Sequence, residues 1–423
     1  MTSVTRHAAL RLPGPRLLSR VIANLRGSLA PRPVVGGRSE QQPLLLLLSP
    51  RFGSVAELPA AQREFVAALR LGEATHERRA RPSVKEALAV ALPRGTPAAL
   101  TRPLRNPHRT GDIAIVSLPE ALREHGAAVG AALLSACEPP VRTVLDRGTW
   151  GSTSGAYRTM DASLLAGDPD LRTQVREHGV EYSVDLAETF WSSRRSTERR
   201  RIVERLRPGQ VLCDVMSGVG PFAIPAAKRG LRVLANDLNP ASFKYLEQNV
   251  GLNKVDGKVQ CFNLCGREFV RCVARAGRWG GSDSDSGADS SDGSADSSDV
   301  PFDVAVMNLP GSALEFLDAF VGVGRLRGRE RRWPEERLPL IHCYCFARED
   351  KAEESILRRM EAAMGHAPPR QDVDLHRVRD VSPGKAMFCV SFVLPAAVAY
   401  AAPPTATVTL GQGESGWARS SDS

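Results

Sequence analysis

Three groups of residues in the second half of the chain have types and spacing suited to chemistry. Asp214 is followed by the turn Ser217-Gly218-Val219-Gly220, and Asp237 stands seventeen residues beyond Gly220. In a doubly wound α/β sheet, ligands bind outside the C-terminal ends of the strands, where a glycine turn lets the backbone come close to a cofactor. An acid closing the second strand typically hydrogen-bonds ribose hydroxyls, so this spacing fits an adenosyl group. The dinucleotide fingerprint is incomplete because Ala223 occupies the third glycine position, and a lone glycine turn can equally serve only to pack a helix on a sheet. The second group is Asn308-Leu309-Pro310-Gly311. A side-chain amide at a strand end, braced by proline, can hydrogen-bond a base or a cofactor; a plain turn has the same pattern. The third runs from Phe190 to Arg201 and crowds Arg194, Arg195, Arg199, Arg200 and Arg201 around Glu198. Two readings stand here. Ser196 or Thr197 caps a helix with a solvated charged face, or a carboxylate ready to take a proton sits among cations that stabilise an anion.

Such residues need a scaffold that gathers strand ends at one edge, and the chain alternates accordingly. Strands are expected over 211–216, 232–238, 259–265, 302–309, 338–346 and 387–394, with a further one near 374–381. Helices are expected from Pro221 and over 240–249, 267–276, 312–321 and 349–364. This order implies an α/β fold with a mostly parallel, doubly wound sheet. Ahead of it, 112–116 reads as a strand and 119–136 as a helix opened by Ser117, followed by a linker through 147–167. The first hundred residues offer one helix near 60–71.

A length of 423 residues leaves room for two or three domains, and 42% hydrophobic with 24% charged residues describes a globular chain. The longest leucine run, Leu44 to Leu48, is far shorter than the roughly 20 residues of a membrane span. The net charge of +9 is unevenly spread. Residues 1–39 hold seven arginines and no acid, the composition of a mitochondrial transit peptide or of a basic tail without an address. Residues 281–299 hold six aspartates among Gly, Ser and Ala, which reads as a disordered surface insertion. The eight cysteines contain no C-x-x-C pair and the histidines no ligand spacing, so reduced core thiols and no metal are expected.

Trp191 to Arg199, Asp214 to Pro225, Asn236 to Pro240, Asn308 to Gly311, Ile341 to Phe346 and Arg379 to Leu394 together resemble the eukaryotic and archaeal tRNA (guanine-37-N1)-methyltransferases. Gly111 to Val116 with Leu118-Pro119-Glu120 resembles the small domain that precedes their catalytic domain. The resemblance implies a Rossmann-like catalytic domain that moves a methyl group from S-adenosylmethionine to N1 of the guanine 3′ of the anticodon. Carried over residue by residue, Glu198 resembles the general base and Arg158 the arginine that stabilises charge on guanine O6. Arg194 and Arg199 would line the pocket, Arg199 touching the cofactor. Asp214, Gly218 and Gly220 would form the first cofactor loop, Asp237 and Leu238 would hold the ribose region, and Cys265 and Gly266 would lie at the adenine. Asn308, with Pro310, would lie between cofactor and target base. Cys265 stands where the family usually has aspartate, and Met216-Ser217 where it usually has Phe-Ala.

The domain order expected is a leader over 1–40, a poorly defined region over 41–108, and a small α/β domain over 109–180. The methyltransferase domain follows over 181–395, with a disordered insertion over 280–300, and then a disordered tail over 396–423. The expected partner is the tRNA anticodon stem-loop, bound by a monomer with no membrane association, in the mitochondrial matrix, nucleus or cytoplasm. Two rival readings are an amino-group methyltransferase, against which Gly311 counts because those enzymes place an aromatic after the proline, and a catalytically silent RNA-binding protein.

Overall fold

The structure is a computed structural model that describes residues 4–12, 18–35, 44–69, 71–79, 82–147, 157, 159–276, 301–325 and 333–402. Arg158, the acidic insertion and the tail beyond 402 lie outside the described residues. The chain divides into two compact units: Met1–Pro107 with Leu118–Val144 and Leu165–Gly167, and His108–Ser117 with Leu145–Leu164 and Asp168–Ser423.

In the first unit the described residues of the expected leader lie in regular elements. Leu29–Val35, Leu44–Leu48, Val4–Leu12 and Gly72–Arg79 form a four-stranded antiparallel sheet in that order. The leucine run alternates between faces: Leu46 and Leu48 pack with Leu10, Leu12, Val21 and Leu25, while Leu47 packs with Ala9 and Ala30. Each such leucine contributes about 1.5–3 kcal/mol on burial. The partners lie far along the chain, Ala9 opposite both Leu47 and Ala74, which is why local composition misread the segment. Further on, Val84–Ala91 starts with a capping box between Ser83 and Glu86 and packs on Gly126–Ala136. That second helix is shorter than expected, because 120–125 form a 3-10 turn ahead of it.

The second unit is built on a seven-stranded sheet: β1 Val211–Asp214, β2 Arg232–Asn236, β3 Val259–Phe262, β4 Val304–Met307, β5 Leu340–Arg348, β6 Asp374–Ser382 and β7 Lys385–Val393. The spatial order is β3-β2-β1-β4-β5-β7-β6. β7 runs antiparallel to both its neighbours and the other contacts are parallel. The mostly parallel, doubly wound α/β fold is therefore present. β1 and β4 are buried along their whole length, as parallel strands covered on both faces must be. Alternate residues feed two cores. Cys213, Ala305, Met307, Ile341 and Cys343 face one, with Phe269, Phe320 and Trp333. Leu212, Val304, Val306, Tyr344 and Cys389 face the other, with Trp191, Ile202 and Phe222.

Two elements differ from the sequence reading. Arg172–Glu177 and Val180–Asp185 form a hairpin whose two-residue turn, His178-Gly179, has both φ angles positive. The helix expected over 312–321 is a 3-10 helix, Ala313–Phe320. Among the described residues no helix is long and apolar enough to cross a membrane, and no group of His, Cys, Asp and Glu could hold a metal.

Candidate active site

The first loop shows what each glycine is for. Gly218 has φ +55°, and a Cβ built there would meet nothing within 4 Å, so open space borders the backbone. Gly220 has φ +95°, and its Cβ would come within 2.8 Å of Ile224 Cδ1 and 2.9 Å of Leu246 Cδ1, so it lets the loop pack against the helices Ala223–Lys228 and Pro240–Leu252. One glycine borders open space and the other packs. The loop is tied to β2 by Ser217 N–H donating to Asn236 O at 2.7 Å, and by Gly218 N–H donating to Asp237 Oδ2 at 2.7 Å. Asn239 N–H donates to the other Asp237 oxygen at 2.9 Å. Leu238, 48% exposed, leaves an apolar side chain beside this pair.

Asp214 is fully buried, and neither carboxylate oxygen has a hydrogen-bond partner. Burial first, then the charge of Asp237, pushes its pKa up to about 8; the Ala223 amide offsets little of this without completing a bond. Asp237 is raised too, by burial, against the pull of its two backbone donors. Ser217 Oγ and Asn308 Oδ1 are likewise buried without partners. Orphaned acceptors at the ends of β1 and β4 are costly unless a ligand completes them. A ligand bearing an ammonium group and ribose hydroxyls, as S-adenosylmethionine does, fits this set.

Asn236, which sequence reasoning passed over, holds the strand ends together. Its Nδ2 donates to Val215 O and Leu264 O, both at 3.0 Å, and its Oδ1 accepts from Leu264 N–H at 2.9 Å. Asn263 Nδ2 donates to Asp237 O at 2.7 Å and to Leu238 O at 3.1 Å. Neither asparagine has a local signal beyond its position at a strand end. Cys265 is half-buried, and its carbonyl accepts from Phe269 N–H at the start of Gly266–Ala276. Gly266 leaves no room for a side chain without pressing on Val215 and Phe316. Pro310 is buried, and its carbonyl accepts from Phe346 N–H at 3.0 Å.

Glu198 lies in the first turn of the helix Ser196–Arg205, where the helix dipole favours an anion. The residue before that helix, Arg195, makes no side-chain cap, so neither Ser196 nor Thr197 is the cap. Glu198 is buried. Arg201 grips it through Nε to Oε2 and Nη2 to Oε1, both at 2.7 Å, and the Tyr344 hydroxyl donates to Oε1 at 2.8 Å. His376 Nε2 lies 3.5 Å from Oε2. The sheet register explains the meeting. Tyr344 of β5 is opposite Cys389 of β7, which is opposite His376 of β6. On the other side Met307 pairs with Cys343, and the Phe346-to-Pro310 bond continues the pairing, so Asn308 falls beside Tyr344. Asn308, Tyr344, Cys389 and His376 thus form one row across four strands, with Glu198 bound to its middle.

Arg199, expected at the cofactor, is committed elsewhere. Its Nη1 donates to both oxygens of Glu177, at 2.9 and 3.0 Å, its Nη2 donates to Ser192 O, and its guanidinium stacks 4.8 Å from the Trp191 ring centre. Glu177 is itself largely buried and needs a counter-ion, which a guanidinium on the inner face of the helix supplies. Arg194 is exposed on the 3-10 turn Ser193–Arg195. Its charge, after burial, helps lower the pKa of His108 and of Arg147, and Arg379 acts on Arg147 as well. These groups form a basic rim suited to a polyanion. Arg158 is not among the described residues.

Comparison with known proteins agrees with this architecture. Residues 173–278 match the TRM5/TYW2 methyltransferase domain and residues 88–170 the TYW2 N-terminal domain. The tRNA (guanine(37)-N(1))-methyltransferase of Schizosaccharomyces pombe is 36% identical over 309 residues, covering 69% of this chain and 69% of that protein. Its counterpart in Candida albicans is 35% identical over 324 residues, covering 69% and 71%. The Danio rerio protein of the same name is 39% identical over 292 residues, 69% of this chain but 56% of that one. Among solved structures, Trm5b of Pyrococcus abyssi aligns with a TM-score of 0.52 at 24% identity, covering 92% of this chain and 99% of that one, which speaks to the fold. On the sheet order, the two matched domains and these relatives, the chain belongs to the tRNA (guanine(37)-N(1))-methyltransferase family.

Proposed function

We propose that the chain transfers a methyl group from S-adenosylmethionine to N1 of guanosine 37 in tRNA, with Glu198 as the base. The observation that carries this reading is the row across the sheet: a buried carboxylate fixed to Tyr344, next to which the register sets Asn308, whose Oδ1 has no partner among the described residues. When bound, S-adenosylmethionine supplies an electrophilic methyl group. Asp214 would hold its cationic end, Asp237 and Leu238 its ribose region, Gly218 its close approach, and Cys265 and Gly266 the region of its adenine.

N1 of neutral guanine carries a proton that must leave as the methyl group arrives, so a carboxylate held in place lowers the barrier. Asn308 offers an acceptor that can fix the base edge, and Pro310 braces it. Arg158 and Arg194 are assigned to the developing charge on O6 and to the RNA backbone. The target base reaches such a pocket at least cost from a single-stranded loop, which favours the anticodon loop as the docking point. The protein acts as a monomer in this reading. A mitochondrial location, with nucleus and cytoplasm as further sites, belongs to this reading on the arginine-rich, acid-free composition of residues 1–39; because strands of the N-terminal sheet lie there, the test is imaging of the full chain beside a fluorescent reporter carrying residues 1–39 alone.

The decisive assay uses purified protein, labelled cofactor and tRNA transcripts carrying guanosine or adenosine at position 37. Label enters only the guanosine transcript. Glu198→Gln slows the single-turnover step on the order of a hundredfold while leaving cofactor affinity intact. An unmodified guanosine transcript, or equal losses of rate and cofactor binding in the variant, removes the assignment.

A further inference from the structure

The two oxygens of Glu198 have unlike surroundings. Oε1 accepts from Tyr344 at 2.8 Å and from Arg201 Nη2 at 2.7 Å, which occupies both of its in-plane acceptor directions. Among the described residues Oε2 accepts a hydrogen bond only from Arg201 Nε, and 3.5 Å away stands His376 Nε2. A proton taken up by Glu198 therefore settles on Oε2. The Glu198 side chain is 10% exposed and that of His376, on the edge strand β6, is 39% exposed. Among the described residues, the other groups facing Glu198 are poorer proton acceptors. Tyr344 is buried and already donating, and burial pushes the Cys389 thiol up to about 11. His342 is buried with its Nδ1 on Ser391 Oγ at 2.8 Å, and beyond it Arg205 pairs with Asp374.

We propose that His376 is the proton outlet of the active site, an inference that rests on Glu198 being the base. As N1 takes the methyl group, the S–C bond of the donor breaks with its pair left on sulfur; the N1–H bond breaks with its electron pair staying on the ring, and the proton passes to Glu198 Oε2. The O–H bond then breaks in favour of a new N–H bond at His376 Nε2, made with the lone pair of the neutral imidazole. The imidazolium loses its Nδ1 proton to water, and exchange with solvent restores the starting tautomer. Glu198 is left as a carboxylate beside Arg201, ready for the next guanine. His376 acts through Glu198 and touches neither substrate nor cofactor.

The test is single-turnover methylation of the guanosine-37 transcript by the full chain from acid to mildly alkaline pH, for wild type, His376→Ala and Glu198→Gln, with and without added imidazole. His376→Ala is slower by about tenfold or more, differs from wild type in its pH profile, and recovers on addition of imidazole, while the thermal shift given by the cofactor is unchanged. A His376→Ala enzyme with wild-type rate and pH profile overturns the outlet, and so does a loss that imidazole leaves untouched. Glu198→Gln separates the two ideas. If it is slow while His376→Ala is normal, only the outlet fails; if it runs at wild-type rate, the base reading fails first.

Discussion

Asp214 makes the cofactor-free protein sensitive to alkali in a way that one substitution removes. In the folded chain its pKa rises from the ordinary 3.8 to about 8, because burial leaves its oxygens without donors and Asp237 adds a like charge. The sign follows from proton counting. Below about pH 4 the group is neutral in both states and its effect is absent. Above that, the unfolded chain ionises while the folded chain keeps its proton, so stability falls as pH rises and the loss is complete only beyond about pH 8. The slope is at most about 1.4 kcal/mol per pH unit, and the full shift of about four units is on the order of 5 kcal/mol. His342 works in the opposite sense. Burial and Arg201 lower its pKa to about 4, so its contribution is lost as pH falls below its unfolded value of 6.5. Measurements between pH 6.5 and 8 therefore isolate the acids. Denaturant unfolding of the wild-type chain without cofactor should lose about 2 kcal/mol across that window. Asp214→Asn, neutral at every pH, should lose much less, the remainder belonging to Asp237. S-adenosylmethionine should restore wild-type stability at pH 8 and bind Asp214→Asn about 10- to 100-fold more weakly, the worth of one charge-assisted contact. The reasoning is refuted if Asp214→Asn shows the wild-type slope, or if it binds the cofactor as tightly.

Three further substitutions separate chemistry from scaffolding. Tyr344→Phe removes the 2.8 Å donor to Glu198 and should slow single-turnover methylation about tenfold with cofactor affinity unchanged, as read by rapid quench; a wild-type rate would show that the hydroxyl does not orient the base. Arg199→Ala strips the counter-ion from Glu177 and the stacked cation from Trp191, so denaturant unfolding should show a loss of about 3–5 kcal/mol, while cofactor titration at low temperature stays normal if Arg199 is structural and weakens if it touches the cofactor. Gly220→Ala forces a side chain into a φ of +95° and against Ile224 and Leu246, and should cost about 2–4 kcal/mol in the same unfolding assay; a neutral effect would mean that the loop relaxes freely.

What the sequence made legible was whatever is encoded locally. The glycine turn after β1, the acid after β2, the Asn-Pro at the end of β4 and the helix carrying Glu198 each declare themselves within a dozen residues, because turn geometry and helical period are short-range properties. The hairpin at 172–185 also had a local signal, Val180, Tyr182 and Val184 alternating after a His-Gly turn, but its strands lie among charged residues that suggest a linker. The N-terminal sheet had none. Its arginines are spaced like those of a leader, and the strand Val4–Leu12 pairs with segments far along the chain, from Leu12 opposite Leu44 to Val4 opposite Arg79.

The partners of Glu198 show the same division inside one site. Arg201 is three residues along the same helix, so a pairing could be read from spacing alone. Tyr344 is 146 residues distant, and only the register of four strands brings it, His376 and Asn308 into one row. Arg199 is assigned to the cofactor by resemblance and not by any local signal. Successive residues on a helix point about 100° apart, and one step beyond Glu198 turns this side chain from the Tyr344 row to Glu177 and Trp191. Adjacent charges on one helix thus divide between two tasks: Glu198 faces the sheet edge where chemistry is possible, and Arg199 fastens the hairpin that covers the same core.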